Sequence, residues 1–254
     1  MKLLVDIGNS NIKWCFSNTE KLGKIQSFQY SFETIERLLS SHLLNDEQLF
    51  KIKEIYICNV AGNKIKSIFS SWMASNVSAT VIYFESSKQQ LGVKNAYSVV
   101  SNLGNDRWLS LIYAHQFYQS DVCIIDCGTA ITIDVVLKSG QHAGGLIAPG
   151  YSSQIAALNF KTDIKTTEKF VNQRKSGILQ NNTHDCIEHG CRLMSLGFIK
   201  NTVIQLTIQN GDTLKVVLTG GDAKSLATDL PSDWLYNQNL IFLGLQMFSN
   251  KKVS

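Results

Sequence analysis

Two stretches of this 254-residue chain share one design. "VDIGNSNIKWCF" near the start and "IDCGTAITIDVV" in the middle each carry an apolar strand into Asp-x-Gly, turn through small or polar residues, and leave on a second apolar strand. Asp6 and Gly8 recur as Asp126 and Gly128, both displaced by 120 residues. One such turn is ordinary. Two at equal internal spacing, each opening a similar half, point to a duplicated architecture whose turns face one cleft. The halves are expected at residues 1–118 and 119–254.

The segments around these turns alternate strand and helix, as an α/β sheet requires. "KIQSFQYSF" adds a third strand in hairpin order, "EIYICNV" and "ATVIYF" are strands, and "ETIERLLSSHLL" and "NKIKSIFSSWMAS" have helical spacing. "GNDRWLSLIYAHQFY" is a helix capped by Asn105 or Asp106, with Trp108, Leu111, Ile112 and His115 on one face and His115 a core or interface residue. Later, "HAGGLIAPGYSSQIAAL" passes from strand to helix and "HDCIEHGCRLMSLGFIKNTVIQLTIQ" is a long apolar helix. "LKVVLTGGDAKSLA" crosses a glycine pair, and "NLIFLGLQMF" closes the chain as an apolar helix.

Charged residues make up only 17%, against roughly 25% in ordinary soluble domains, so much surface is expected to be buried between elements or subunits. The net charge of +4 comes without a basic run, which argues against nucleic-acid binding and leaves an anionic small molecule open. Six cysteines form no C-x-x-C pair and read as reduced core thiols of a cytoplasmic protein, without a structural zinc site. No apolar run reaches membrane-spanning length, and no basic, apolar leader precedes the first strand.

An ionised Asp6 at the end of an apolar strand is costly without a partner or cation, and a metal-bound nucleotide would supply one. Gly8 permits tight geometry, the N–H groups of residues 8 to 11 offer an anion-binding nest, and Lys13 offers a charge for a transferring phosphoryl group. A solvated lysine on an edge strand is the alternative for Lys13. In the second turn, Thr129 offers a hydroxyl and Asp126 a cation ligand. The glycines of "TGGDA" suit either close approach of a nucleoside or a plain strand-to-helix turn. The P-loop, the dinucleotide-binding glycine fingerprint and the protein-kinase catalytic loop are absent.

"DIGNSNIK" resembles the first phosphate motif of the acetate and sugar kinase, heat-shock 70 and actin superfamily. With "LGNDRW", "DCGTAITID", "GGLIAPG", "NTHDCIEHG" and "TGGDA", in family order over residues 6 to 223, the chain resembles type III pantothenate kinases. The resemblance implies two duplicated actin-like, ribonuclease H-like α/β halves with a nucleotide cleft between them. It further implies ATP-dependent phosphorylation of pantothenate to 4'-phosphopantothenate, the first step towards coenzyme A, in a cytoplasmic homodimer using Mg²⁺ and a monovalent cation, K⁺ or NH₄⁺. Carried over by motif, Asp6, Ile7, Gly8, Asn9, Ser10, Asn11, Ile12, Lys13 and Thr129 bind ATP. Asp6 holds Mg²⁺, directly or through its waters, and Asp126 the monovalent cation. Asp106 matches the general base, with the helix N-cap as its structural alternative. Arg107 matches the residue that holds pantothenate, with a surface ion pair as the alternative. Tyr97, Gly104, Asn105, Asp106 and Thr183 complete the substrate contacts, Thr183 reaching the site from the partner subunit. The family usually has a proline three residues after the tyrosine. This chain has Val100 there, so the loop bearing Tyr97 is expected to be less rigid. Ser10 replaces the commoner threonine and keeps the hydroxyl. A kinase of the same fold acting on another small hydroxyl compound would keep Asp106 without needing Arg107. A non-catalytic ATP-binding accessory or regulatory protein would not need the base.

Overall fold

The computed structural model describes residues 1–18, 20–43, 47–161, 177–210 and 214–251. The chain divides into two compact units, one of Met1–Phe117 with Asn239–Ser254 and the other of Tyr118–Gln238. The first contains strands β1 (Lys2–Ile7), β2 (Asn11–Ser17) and β3 (Gln26–Gln29), helix α1 (Ile35–Leu43), β4 (Glu54–Asn59), helix α2 (Gly62–Asn76) and β5 (Thr80–Tyr83). A short ribbon, β6 (Gln89–Gln90) with β7 (Val93–Lys94), leads towards helix α3 (Asn105–Tyr118). The second unit continues with β8 (Val122–Cys127), β9 (Ala130–Val136), β10 (His142–Pro149), helices α4 (Tyr151–Lys161) and α5 (Thr183–Asn210), β11 (Lys215–Thr219), α6 (Ala223–Leu226) and β12 (Leu235–Tyr236). Helix α7 (Leu240–Lys251) follows.

The duplication read from the two turns is present in the sheets. The first has the order β3-β2-β1-β4-β5 and the second β10-β9-β8-β11-β12. In each, the first strand pairs antiparallel with the second and parallel with the fourth, which is the arrangement expected of an actin-like half. The turns differ in length. Asp6 stands opposite Lys13, whereas Asp126 stands opposite Thr132, one residue sooner. Gly8 N–H closes the first turn on the Asn11 carbonyl, and Gly128 N–H closes the second on Ala130, both at 3.0 Å.

Strand β1 is buried along its whole length, so both faces of the first sheet are covered. Leu3, Val5 and Ile7 join Ile12, Trp14, Ile55 and Ile57 in a core closed by Ile35 and Leu39 of α1 and Phe69 and Trp72 of α2. The alternating set, Leu4 and Asp6 with Cys15, Lys13, Tyr56 and Cys58 beside them, lies on the opposite face. In the second sheet Ile125, Cys127, Ile133 and Leu218 pack with Leu196, Ile199 and Val203 of α5.

Helix α7 packs on β1 and β4, so residues 239–251 belong to the first unit and not, as the sequence pattern suggested, to the second half. Phe248 meets the rings of Tyr56 and Phe84 edge-on, and the buried Lys2 ammonium donates to the Ser249 carbonyl at 2.7 Å. A cation at the C-terminal end of a helix is favourably placed. Backbone approach is close there: a methyl on Gly244 would run into the Leu109 carbonyl of α3. Helix α3 is buried not on one face but from Arg107 to Ala114, with His115 half-buried at its edge. Five cysteines are buried; Cys186, in the first turn of α5, is exposed and so departs from the core assignment. Among the described residues no helix is long and apolar enough to cross a membrane.

Candidate active site

Parallel strands β1 and β4 end at the same edge of the first sheet, where open α/β sheets place ligands. Asp6 is the next-to-last residue of β1 and pairs with Lys13 on one side and Cys58 on the other. It is buried, at 6% exposure. Burial pushes its carboxyl from the ordinary 3.8 up to about 6. Lys13 opposes the rise, the carboxylate of Asp106 adds to it, and a hydrogen bond with Cys58 opposes it. Burial, then Asp6 and Asp106, raise the Cys58 thiol well above its usual range, so it stays protonated and donates to Asp6. Lys13 is half-buried. Strand β3 lies outside β2, with Ser27 opposite Lys13, so the edge-strand alternative does not hold.

The turn itself is braced. Tyr30 donates its hydroxyl to the Gly8 carbonyl at 2.7 Å and its N–H to Ser10 at 3.3 Å. Gly8 N–H is committed to Asn11, so the expected anion nest cannot draw on it. Asn9 is exposed, Ser10 and Asn11 are half-buried, and Ile7 and Ile12 are wholly buried core residues that reach a ligand only through their backbone.

Asp106 lies in the first turn of α3, behind the Gly104 carbonyl that accepts the N–H of Trp108 at 3.0 Å. Its Oδ1 accepts the N–H of Arg107 at 2.7 Å. A methyl on Gly104 would come within 2.6 Å of that same oxygen, so glycine there lets the carboxylate fold back over the helix start. The Arg107 side chain, 7% exposed, donates from Nη1 to the Tyr97 hydroxyl at 2.9 Å, with the guanidinium 5.6 Å from the ring centre. Two of the expected pantothenate contacts, Tyr97 and Arg107, are thus in contact with each other. Asn105 differs from expectation, because its amide is occupied within the fold: Oδ1 accepts from Ser86 N–H at 2.8 Å and Nδ2 donates to the Asn59 carbonyl at 3.2 Å. The loop expected to be slack around Val100 is held by Asn95, whose Oδ1 accepts the N–H of Tyr97 at 2.9 Å.

In the second unit Asp126 is half-buried near the end of β8, beside Thr219 and Thr132. Gly220, at φ +98°, lies against the Asp126 carboxylate and the Cys127 carbonyl, and a side chain there would collide with both. Gly221 faces open space, so packing within the chain explains one glycine of the pair and not the other. Thr129 is exposed; its carbonyl accepts from Gly150 N–H at 3.0 Å and Ser153 Oγ at 2.6 Å. Asp222 donates its N–H to Cys127 at 2.9 Å and accepts Ser152 Oγ at 3.1 Å, joining the glycine turn to the start of α4. Thr183 is the exposed first residue of α5.

Cys58, Tyr30, Ser86 and Asn95 were not singled out by sequence. The signal for Cys58 is its place near the end of a strand parallel to the first. Tyr30 and Ser86 depend on hydrogen bonds to residues 17 or more positions away, whereas Asn95 carries a local signal, an Asn two residues before the Tyr97 N–H it accepts.

Among curated proteins, a type III pantothenate kinase from Nitrosococcus oceani is 31% identical over 251 residues, covering 96% of this chain and 92% of that one. Another, from Alcanivorax borkumensis, is 30% identical and covers 97% of both. Among solved structures, a Campylobacter jejuni chain described as a Baf family transcriptional activator matches with a TM-score of 0.64 at 24% identity, over 99% of this chain and 98% of that one. That similarity speaks to the fold alone. The sequence model of type III pantothenate kinases matches residues 2–205, a span that holds both Asp-x-Gly turns and the Gly104–Arg107 helix start, and this chain belongs to that family.

Proposed function

We infer that this protein transfers the γ-phosphoryl group of ATP to the primary hydroxyl of pantothenate, releasing ADP and 4'-phosphopantothenate as the first step towards coenzyme A. The family match over residues 2–205 carries this conclusion. Asp106 takes the hydroxyl proton as the substrate oxygen forms its bond to the γ-phosphorus and the bond to the ADP oxygen breaks in line. Its place at a helix start, with Oδ1 steadied by the Arg107 N–H, supports that role. The Arg107 guanidinium, held against Tyr97, suits the pantothenate carboxylate, and Gly104 and Asn105 shape the helix start beside it. Lys13 balances charge on the transferring group, while the Asp6–Lys13 turn and Thr129 contact ATP.

Oxygen donors at the two turns fit the expected cations. Asp6 is a desolvated carboxylate beside a second one, an arrangement that a hard divalent cation would relieve, and it would hold Mg²⁺ directly or through its waters. The half-buried Asp126 carboxylate would hold K⁺ or NH₄⁺. Mg²⁺, when bound, supplies neutralisation of phosphate charge. We further assign the protein to the cytoplasm and to a homodimer in which Thr183 serves the partner's site. An exposed stripe on α5 supports the dimer: Met194, Ile204 and Ile208 are 66%, 55% and 75% exposed, while Leu196, Ile199 and Val203 point inward.

The test is ADP release with ATP and pantothenate, with and without K⁺, in the wild type and in Asp106→Asn. Turnover that requires pantothenate and K⁺ and collapses in the variant is expected. No pantothenate-dependent turnover in the wild type would overturn the function, and equal turnover in the variant would overturn the base.

A further inference from the structure

The segment from Asn95 to Asn105 carries Tyr97 and ends beside Asp106, and it is fastened at both ends to one short post, Ser86–Ser87. At its start, Asn95 donates its N–H to the Lys88 carbonyl at 3.0 Å and its Nδ2 to the Ser87 carbonyl at 3.3 Å, while its Oδ1 accepts the N–H of Tyr97 at 2.9 Å. A second Nδ2 contact, to the Val100 carbonyl at 3.5 Å, is at the outer limit of a hydrogen bond and spans the loop where a proline is commoner. At its end, Ser86 donates its N–H to Asn105 Oδ1 at 2.8 Å. The single Ser86 hydroxyl proton is shared between the Leu103 carbonyl at 2.8 Å and Asn105 Oδ1 at 3.1 Å. Asn105 Nδ2 then reaches the Asn59 carbonyl at the end of β4, at 3.2 Å.

The orientation of both amides follows from their partners. A backbone N–H can only donate and a carbonyl can only accept, so Oδ1 must face Tyr97 and Ser86, and Nδ2 must face Ser87 and Asn59. The post is anchored from the side of β5, which ends at Tyr83: the next residue, Phe84, 1% exposed, donates its N–H to the Ile57 carbonyl of β4 at 2.8 Å. The Arg107 to Tyr97 bond at 2.9 Å closes a ring from post to loop to helix and back.

We propose that Asn95 and Asn105 are positioning residues, each tying one end of the 95–105 loop to Ser86–Ser87, Asn95 setting the place of Tyr97 and Asn105 that of Asp106. Their roles in catalysis rest on the function inferred above; the ties themselves do not. Losing the Asn95 tie releases a group that meets the acceptor substrate. Losing the Asn105 tie shifts the helix start that mounts the base. The two lesions therefore separate kinetically.

The test uses the full chain with four measurements: steady-state constants for ATP and pantothenate, melting temperature, and hydrogen exchange over residues 95–106 without ligands. Asn95→Ala is expected to raise the pantothenate KM about 5- to 10-fold, with the ATP KM unchanged and faster exchange at 95–103. Asn95→Asp keeps the acceptor for Tyr97 N–H but sets a carboxylate oxygen against the Ser87 carbonyl, so it should leave the pantothenate KM raised; a wild-type KM in that variant would overturn the tie to Ser87. Asn105→Ala is expected to lower kcat about 10-fold or more, with faster exchange at 103–106. Unchanged exchange in both variants would overturn the ties. Faster exchange with unchanged kinetics, or a uniform loss of both constants for both substrates that only follows a lowered melting temperature, would overturn positioning. A wild type inactive on pantothenate would instead sink the inferred function and the catalytic half of this proposal, while the exchange measurements still decide the ties.

Discussion

Replacing Asp6 by Asn should make this protein more stable while disabling it, and the gain should depend on pH. The folded carboxyl is raised from 3.8 to about 6, roughly two units, by burial that Lys13 and Cys58 only partly offset. At about 1.4 kcal/mol per unit, ionised Asp6 costs the ligand-free fold about 3 kcal/mol. The sign follows from linkage: a folded carboxyl that holds its proton more tightly than the unfolded one stabilises in acid and loses that contribution as pH rises from about 4 to 6. Asn has nearly the same shape and no charge. Asp6→Asn should therefore exceed the wild type by up to about 3 kcal/mol near pH 7.5, and by well under about 1 kcal/mol near pH 4. Urea unfolding in chelator, followed by fluorescence of the buried Trp14 and Trp108 in the first unit, measures both values. Mg²⁺ with ATP should raise wild-type stability and leave the variant behind. A variant less stable than the wild type near pH 7.5, with the difference fading near pH 4, would refute the reasoning, because the attraction of Lys13 would then outweigh burial.

Three other substitutions probe the same unit. Gly104→Ala, whose methyl would press on Asp106 Oδ1, should lower kcat on the order of 10- to 100-fold while melting stays near the wild-type temperature. Tyr97→Phe removes the acceptor for Arg107 Nη1, and a bond of about 0.5–1.5 kcal/mol predicts a pantothenate KM raised about 2- to 12-fold in steady-state assays. Gly244→Ala forces a methyl against the Leu109 carbonyl of α3 and should cost about 1–3 kcal/mol in urea unfolding, with the loss seen in the Trp108 signal.

Much of the candidate site was legible because it is local. Asp6 and Asp126 stand out since a carboxylate at the end of an apolar strand is costly wherever it occurs, and the Gly104–Arg107 run sits at a helix start that its own residues mark. The same locality misled where partners mattered. Asn105 looked like a ligand contact by motif, yet both ends of its amide are occupied by Ser86 and Asn59, residues 19 and 46 positions away. For Lys13 the solvated edge-strand alternative stayed open by residue type alone, and it is the pairing of the third strand, expected in hairpin order, with Ser27 opposite Lys13, that closes it.

The sequence by itself determined the duplicated sheets, since strand period, turn residues and repeated Asp-x-Gly are properties of neighbours along the chain. Only the tertiary structure decided what each strand end meets. The Cys58 hydrogen bond to Asp6 exists because β4 pairs in parallel with β1 in one register, and a slip of one residue would turn Cys58 to the other face. Helix α7 carries an apolar pattern that would suit either sheet. Its return to the first unit is settled by Lys2 at its C-terminal end, by Phe248 against Tyr56 and Phe84, and by the bare backbone of Gly244 against α3. These are contacts between residues more than 100 positions apart, and their free energy depends on shape and distance that a linear pattern does not encode.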